Sequence, residues 1–160
     1  MQNISDLNEV INMKLTKLDI RDKEIIKELF RAVFTNEPWN DDWSDEEQLD
    51  AYITDLTGNP NSLTFGYFEN GRLIGMTMGC IKHWFRGTEY VIDEFCILTE
   101  RQGCGIGSAF FNELERALTG MGIYHIFLQT DENMPAYGFY KKRGLTELKG
   151  HVSFAKSLRE

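Results

Sequence analysis

The spacing of hydrophobic residues in the first third of the chain predicts one strand and two helices. Residues 13–18 alternate between apolar and polar side chains, as a half-buried strand does. Asp19 or Asp22 is suited to cap a helix with apolar side chains at helical spacing, which we expect to end near residues 36–38. Ser44 and Glu47 have the spacing of a capping box, which predicts a second helix ending at Gly58.

The middle of the chain has the pattern of an antiparallel sheet. Residues 62–69 and 72–85 are two strand-like runs joined by an Asn-Gly pair, a strong two-residue hairpin turn. Glycines at positions 75 and 79 indicate bends or bulges in the second run. Residues 88–98 predict a third strand, so the three runs form a meander.

The remaining elements predict the fold class. Residues 106–119 and 133–143 have the pattern of helices, residues 123–129 predict a buried strand, and residues 145–148 and 151–156 predict a closing hairpin. The order β-α-α-β-β-β-α-β-α-β-β predicts an α/β (α+β) fold. We expect a mixed, mostly antiparallel twisted sheet of about six to seven strands with four main helices and one βαβ crossover.

The stretch at residues 100–108, Glu-Arg-Gln-Gly-Cys-Gly-Ile-Gly-Ser, joins a strand to a helix. Its three glycines let the backbone turn tightly and approach a ligand closely. The first amides of the following helix have no partner inside that helix and lie at its positive end. The arrangement predicts a site for a phosphate or pyrophosphate, although the residues alone equally fit a plain tight turn.

Composition limits the partners and the setting. The 160 residues carry a formal net charge of −8, which makes nucleic acid an unfavourable partner. The charge suits cationic substrates, although many soluble proteins are equally acidic. Three cysteines without metal-ligand spacing, and no signal-like or membrane-length apolar run, predict a reduced cytoplasmic protein that binds no metal and no membrane. We expect one domain at residues 13–160, preceded by an extension at residues 1–12.

Two sequence motifs, one at residues 102–107 and the other at residues 133–145, resemble motifs of the GCN5-related N-acetyltransferase (GNAT) superfamily and occur in the same order. Residues 102–107, Gln-Gly-Cys-Gly-Ile-Gly, match its phosphate loop, Q/R-x-x-G-x-G/A, at every fixed position. Residues 133–145 match N-x-x-A-x-x-F-Y-x-x-x-G-F, except that Leu145 replaces the usual Phe. The first of these motifs alone is weak, whereas both together are specific. The segment ahead of the loop, Ile92-Asp93-Glu94, is similar to one in some aminoglycoside 6′-N-acetyltransferases.

The resemblance implies acetyl-coenzyme A as the cosubstrate. The pyrophosphate would lie on the loop amides, and the pantetheine arm would pair like an added strand with the end of the preceding strand. Asn133 would help to hold the pantetheine or its cysteamine end. The residues that the resemblance assigns to the donor are Ile97, Leu98, Thr99, Gln102, Gly103, Cys104, Gly105, Ile106, Gly107, Ser108, Asn133 and Ala136. Dimers are common in such families, so a homodimer is an expectation by analogy.

The resemblance also assigns acid and base. Tyr140 would protonate the departing thiolate, although an aromatic residue at this position also fits a core role. The base would be Asp93, favoured by the aminoglycoside-type segment, or Glu94, which matches an acidic position common in the wider family; a water relay stays open. Their side chains should lie on opposite strand faces.

The segment between the first two helices is the candidate acceptor site. Trp39, Asp41, Asp42 and Trp43 combine aromatic faces with carboxylates, which suits an organic cation, and a packed solvated loop fits equally. The expected activity is acetyl transfer to a primary amine of a small, cationic acceptor. Transfer to a protein amine and a non-catalytic coenzyme A-binding regulatory module are the alternatives.

Overall fold

The computed structural model describes residues 11–159, which divide into two compact units. The first unit ends at Gln129 and the second begins at Thr130. Of the predicted extension, residues 1–10 lie outside the described part. Asn12 is bound to the first hairpin, since its amide donates to the Asn70 side chain over 3.0 Å.

Secondary structure follows the sequence pattern closely. The first helix ends slightly earlier than predicted, at Phe34, and most of the predicted elements that form begin and end within two residues of the observed ones. In chain order they are β1 Met13–Leu18, α1 Lys23–Phe34, α2 Glu46–Thr57, β2 Ser62–Glu69, β3 Arg72–Trp84, β4 Gly87–Ile97, α3 Ile106–Gly120, β5 His125–Leu128 and α4 Pro135–Lys142. Short 3₁₀ turns precede α1 and follow β4. The fold is mixed α/β, as predicted.

The sheet has the strand order β1-β2-β3-β4-β5. Strands β1 to β4 pair antiparallel, whereas β4 and β5 pair in parallel across the connection through α3. A parallel pair needs a crossover of this length, and the predicted βαβ unit is confirmed. The crossover places the glycine-rich stretch between the end of β4 and the start of α3.

The predicted closing hairpin was wrong, because residues 145–159 contain no strand. The described residues therefore form a five-stranded sheet instead of six to seven strands. The apolar side chains of Leu148, Val152, Phe154 and Leu158 are between 51% and 94% exposed. Alternation alone does not form a stable hairpin, since a two-stranded hairpin needs a covered apolar face.

Helices α1 and α2 are joined by ion pairs along one seam. Lys27, which is buried, contacts Glu46 at 2.5 Å and Asp50 at 3.2 Å, and Lys23 contacts Asp50 at 2.8 Å. Arg31 also pairs with Glu46. The cations recur every four residues on α1 and their partners every four on α2, so the helices are fixed in register.

The predicted Ser44–Glu47 capping box was wrong. The N-cap of α2 is Asp45, whose carboxylate accepts from the Gln48 amide over 3.1 Å. Aspartate caps at least as well as serine, so the helix begins one residue later.

The main core lies between these helices and the sheet. Its buried members include Ile26, Phe30, Leu49, Ile53, Met76, Met78 and Cys96. On another part of the sheet, the Phe110 ring from α3 stacks on Tyr67 and Phe95 at 4.9 Å. Among residues 11–159, no helix is both long and apolar enough to cross a membrane.

Candidate active site

A β-bulge interrupts β4 at the predicted acidic pair. Met78 on β3 pairs with Glu94, but the next residue, Gly79, pairs with Ile92, so Asp93 is the extra residue. Glycine at position 79 is required, because a Cβ there would lie 2.0 Å from the Val91 carbonyl oxygen. Bulges re-aim side chains, and this one sets the directions of both carboxylates.

Glu94 has the more perturbed carboxyl group. Its Oε1 accepts a hydrogen bond of 2.6 Å from the Tyr52 hydroxyl on α2. Burial raises the pKa of Glu94 to about 7, the Tyr52 hydrogen bond partly opposes this rise, and the charges of Asp93 and Asp41 add to it. A carboxyl group that titrates near neutral pH can take up and release a proton during turnover, as a general base must.

Asp93 lies in a different environment. Its side chain is exposed, and burial raises its pKa while the positive charge of Lys82 on β3 lowers it. Asp93 also raises the pKa of the Cys80 thiol, after the larger contribution of burial. The two carboxylates therefore differ in partner: Tyr52 binds Glu94, and Lys82 acts on Asp93.

The aromatic and acidic segment before α2 divides into packed and local groups. Trp39 packs at 5.7 Å from Phe34, and Trp43 stacks on Tyr52 at 5.1 Å, so both tryptophans extend the core. The Asp42 carboxylate accepts from the Ser44 amide over 3.1 Å. Asp41 is the member of this segment whose charge acts on both Tyr52 and Glu94.

Tyr52 is a site residue that the sequence did not reveal. Its helical spacing with Leu49, Ile53 and Leu56 indicated only an inward-facing core side chain. The hydrogen bond to Glu94 joins α2 to β4 across 42 residues of sequence, which no local pattern contains.

The glycine-rich stretch forms the predicted loop and helix start. Gly103 and Gly105 have φ values of +74° and +79°, the left-handed region that favours glycine. Gly105 is the N-cap of α3, so the amides of Ile106 and Gly107 lie in its first turn. A Cβ at Gly103 or Gly105 would meet no heavy atom within 4 Å, so a ligand can approach the backbone there. This loop suits a pyrophosphate.

Side chains tie the loop to the sheet. Gln102 donates from Nε2 to the Ile97 carbonyl oxygen over 2.9 Å. Immediately before the loop, Arg101 pairs with Glu69 at the end of β2, and Glu100 pairs with Arg72 at 2.8 Å. The Cys104 thiol is exposed and lies 3.6 Å from the Gln102 carbonyl oxygen, and Ser108 is half-buried in the first turn of α3. These contacts hold the turn that precedes the glycines.

The end of β4 loses its parallel neighbour. Pairing with β5 runs only from Glu89 to Ile92, whereas residues 94–97 pair only with β3 among residues 11–129. The Leu98 amide donates to the Ile74 carbonyl oxygen, and Thr99 begins the 3₁₀ turn. The pairing with β5 therefore ends before the predicted pantetheine site, and the pairing of that arm with residues 97–99 stays a prediction.

The second unit carries the other predicted residues. Asn133 is exposed just ahead of α4, and Ala136 is half-buried in its first turn. Tyr140 lies near the C-terminal end of α4, its ring 5.4 Å from that of Phe139, and its carbonyl oxygen accepts from the Leu145 amide. The candidate bases thus lie in the first unit and the candidate acid in the second.

Comparison with known families identifies the chain. The model of the Acetyltransferase (GNAT) family matches residues 23–145. The chain belongs to the GNAT family. This GNAT enzyme is accordingly an N-acetyltransferase that uses acetyl-coenzyme A, and the sequence resemblance is confirmed. No curated protein matches it.

Solved structures share the GNAT fold at low sequence identity. An aminoglycoside acetyltransferase from an uncultured soil metagenomic sample, in complex with sisomicin, is 22% identical with a TM-score of 0.69, covering 92% of this chain and 97% of that one. Aminoglycoside N-acetyltransferase AAC(6′)-Iy in complex with CoA is 14% identical with a TM-score of 0.72, and the match covers 94% of this chain and 98% of that one. Ribosomal-protein-alanine N-acetyltransferase from Brucella melitensis biovar Abortus 2308 is 16% identical with a TM-score of 0.66, and the match covers 92% of this chain and 100% of that one.

Proposed function

We propose that this GNAT enzyme moves the acetyl group of acetyl-coenzyme A to a primary amine of a small cationic acceptor by direct attack on the thioester. Glu94 is the general base and Tyr140 the general acid. The observation that carries the proposal is the half-buried Glu94 at the β4 bulge, with a pKa raised to about 7, on the strand that leads into the phosphate loop.

The acceptor's proton explains why such a base is needed. A lysine-like amine has a pKa of about 10.4, so only about one molecule in 2,500 is neutral near pH 7. Glu94 takes the ammonium proton, and the amine nitrogen then attacks the thioester carbonyl carbon. The C–S bond breaks, and the Tyr140 hydroxyl donates its proton to the departing thiolate sulfur. The second proton of the attacking nitrogen passes to the Tyr140 phenolate, which leaves a neutral amide and restores the hydroxyl, and Glu94 releases its proton to solvent.

The donor site uses the residues that the family motifs mark. Backbone amides of the loop from Gln102 to Gly107 bind the pyrophosphate at the start of α3. The end of β4, beyond its pairing with β5, accepts the pantetheine arm, and we expect the thioester near the bulge. Asn133 and Ala136 contact the arm from α4 and the residues before it.

The acceptor site is acidic. Asp41 and Asp93 both act electrostatically on Glu94, so three carboxylates share one region of the first unit. Such a cluster, in a chain of net charge −8, attracts a polycationic amine. Trp39 and Trp43 pack on the core, so the carboxylates provide more of the recognition than the aromatic faces do.

A pH profile tests the assignment of the base. We expect kcat/KM of the wild type to fall below about pH 7, and Glu94→Gln to lower it by about 10²-fold and remove that acid limb. Asp93→Asn is the matched control, since it removes the neighbouring carboxylate and leaves the hydrogen bond between Tyr52 and Glu94 in place. A limb that persists in Glu94→Gln but disappears in Asp93→Asn makes Asp93 the base, and persistence in both rejects both carboxylates.

A further inference from the structure

We propose that Tyr52 is a positioning residue for the acetyl transfer, because its hydroxyl donates to the Glu94 carboxylate and so favours the ionised form that accepts the proton. The inference rests on the proposed role of Glu94 as the base. It assigns a task to a side chain of α2 that contributes nothing to the family's two sequence motifs.

The hydrogen bond leaves one carboxylate oxygen for the reaction. Tyr52 Oη lies 2.6 Å from Glu94 Oε1, and among residues 11–159 this is the only hydrogen bond to the Glu94 side chain. A short bond from a hydroxyl to a carboxylate is charge-assisted and directional. With Oε1 engaged, Oε2 is the oxygen that takes the acceptor's proton.

The phenol ring is itself fixed by packing. It stacks on Trp43 at 5.1 Å with 26° between the planes, and it lies 5.7 Å from the buried Phe30 ring. Its helix is held to α1 by the ion pairs of Lys23 and Lys27 with Asp50. The hydroxyl therefore has a defined position relative to β4.

Every other influence on Glu94 works against ionisation. Burial has the largest effect, and the carboxylates of Asp93 on the same strand and Asp41 ahead of α2 add to it. Tyr52 alone, from α2, favours the charged form. Burial followed by the Glu94 contacts raises the pKa of Tyr52 itself far above its ordinary value, so its hydroxyl stays a donor over the working pH range.

Tyr52→Phe tests the inference, because it removes the hydroxyl and keeps the stacked ring. We expect the acid limb of kcat/KM to move up by about one pH unit. At pH 7 kcat/KM then falls about fivefold, because the ionised fraction drops from about one half to about one tenth. Near pH 9 the variant and the wild type converge, and the KM for acetyl-coenzyme A stays unchanged.

Tyr67→Phe is the matched control. Tyr67 is buried on β2 and its hydroxyl donates to Glu113 over 2.8 Å, so this variant also removes a hydroxyl from a tyrosine–glutamate pair. We expect its acid limb at the wild-type position. Carboxyl ¹³C NMR of Glu94 measures the same displacement without activity, and circular dichroism compares the folding of both variants.

The outcomes separate this inference from the proposed base. If Glu94→Gln loses the acid limb and Tyr52→Phe keeps it at the wild-type pH, Tyr52 has no positioning role and Glu94 remains the base. A uniform loss of activity at every pH in Tyr52→Phe makes the residue structural and equally overturns the inference. If the acid limb survives in Glu94→Gln, Glu94 is not the base, and the proposed role of Tyr52 is excluded as well.

Discussion

Replacing Glu94 by glutamine should stabilise the fold while it lowers kcat/KM by about 10²-fold. Glutamine keeps the size of the side chain and can still accept from the Tyr52 hydroxyl, but it never carries charge. The carboxylate of the wild type is ionised at alkaline pH in spite of its burial. Because a buried charge destabilises the folded state, this ionisation lowers the stability of the wild type at alkaline pH but not that of the variant.

The magnitude follows from the pKa. Between pH 4.5 and about 7 the folded chain binds the Glu94 proton more tightly than the unfolded chain does, so this group's contribution to stability falls as the pH rises through that window. At about 1.36 kcal/mol per pH unit, the full interval corresponds to about 3 kcal/mol. The free energy of unfolding of Glu94→Gln, relative to that of the wild type, should therefore rise by about 2–3 kcal/mol from about pH 5 to about pH 9.

Urea unfolding followed by tryptophan fluorescence, at about pH 5 and about pH 9, measures the difference. The comparison with the wild type cancels other carboxylates, such as Glu46 and Asp50, whose pKa values are lowered by their lysine partners and whose contributions are lost as the pH falls. Asp93→Asn is the control, and we expect a smaller gain in its free energy of unfolding because the Asp93 side chain is exposed. A Glu94→Gln difference that stays constant with pH, or shrinks as the pH rises, would refute the reasoning.

Three further variants test other parts of the account. Tyr140→Phe should lower kcat about 10²-fold with little change in the KM for donor, and unchanged turnover at saturating donor excludes it as the acid. Gly105→Ala should raise the KM for acetyl-coenzyme A about tenfold, because a side chain in the left-handed region costs about 1–2 kcal/mol, whereas Gly120→Ala should not. Asp41→Asn should move the acid limb to lower pH and raise the KM for a polycationic amine; a limb that does not move separates Asp41 from Glu94.

Local patterns contained most of the fold. The Asn-Gly turn, the alternating strands and the helix after the glycines each depend on neighbouring residues, and the ladder from β1 to β4 follows once the turns are known. The closing hairpin was wrong because alternation at Val152 and Phe154 does not tell whether another element covers the apolar face. The parallel pairing of β5 was predictable from the length of the crossover.

The site was predictable in its parts but not in its electrostatics. The phosphate loop follows from glycine spacing, which the φ values at Gly103 and Gly105 explain. Simple alternation could not choose between Asp93 and Glu94, because the bulge depends on how β3 pairs with β4. The hydroxyl of Tyr52 reaches Glu94 only through the packing of α2 on the sheet, which is a property of the tertiary structure.

Release of free coenzyme A tests the central claim most directly. The purified chain is mixed with acetyl-coenzyme A, thiol appearance is followed, and polyamines, aminoglycosides and amine-bearing peptides are supplied in turn. We predict saturable thiol release with small polycationic amines, and an acetylated amine as the product. Donor binding without acceptor-dependent thiol release across the panel would contradict an N-acetyltransferase, and release with peptide amines alone would contradict a small acceptor.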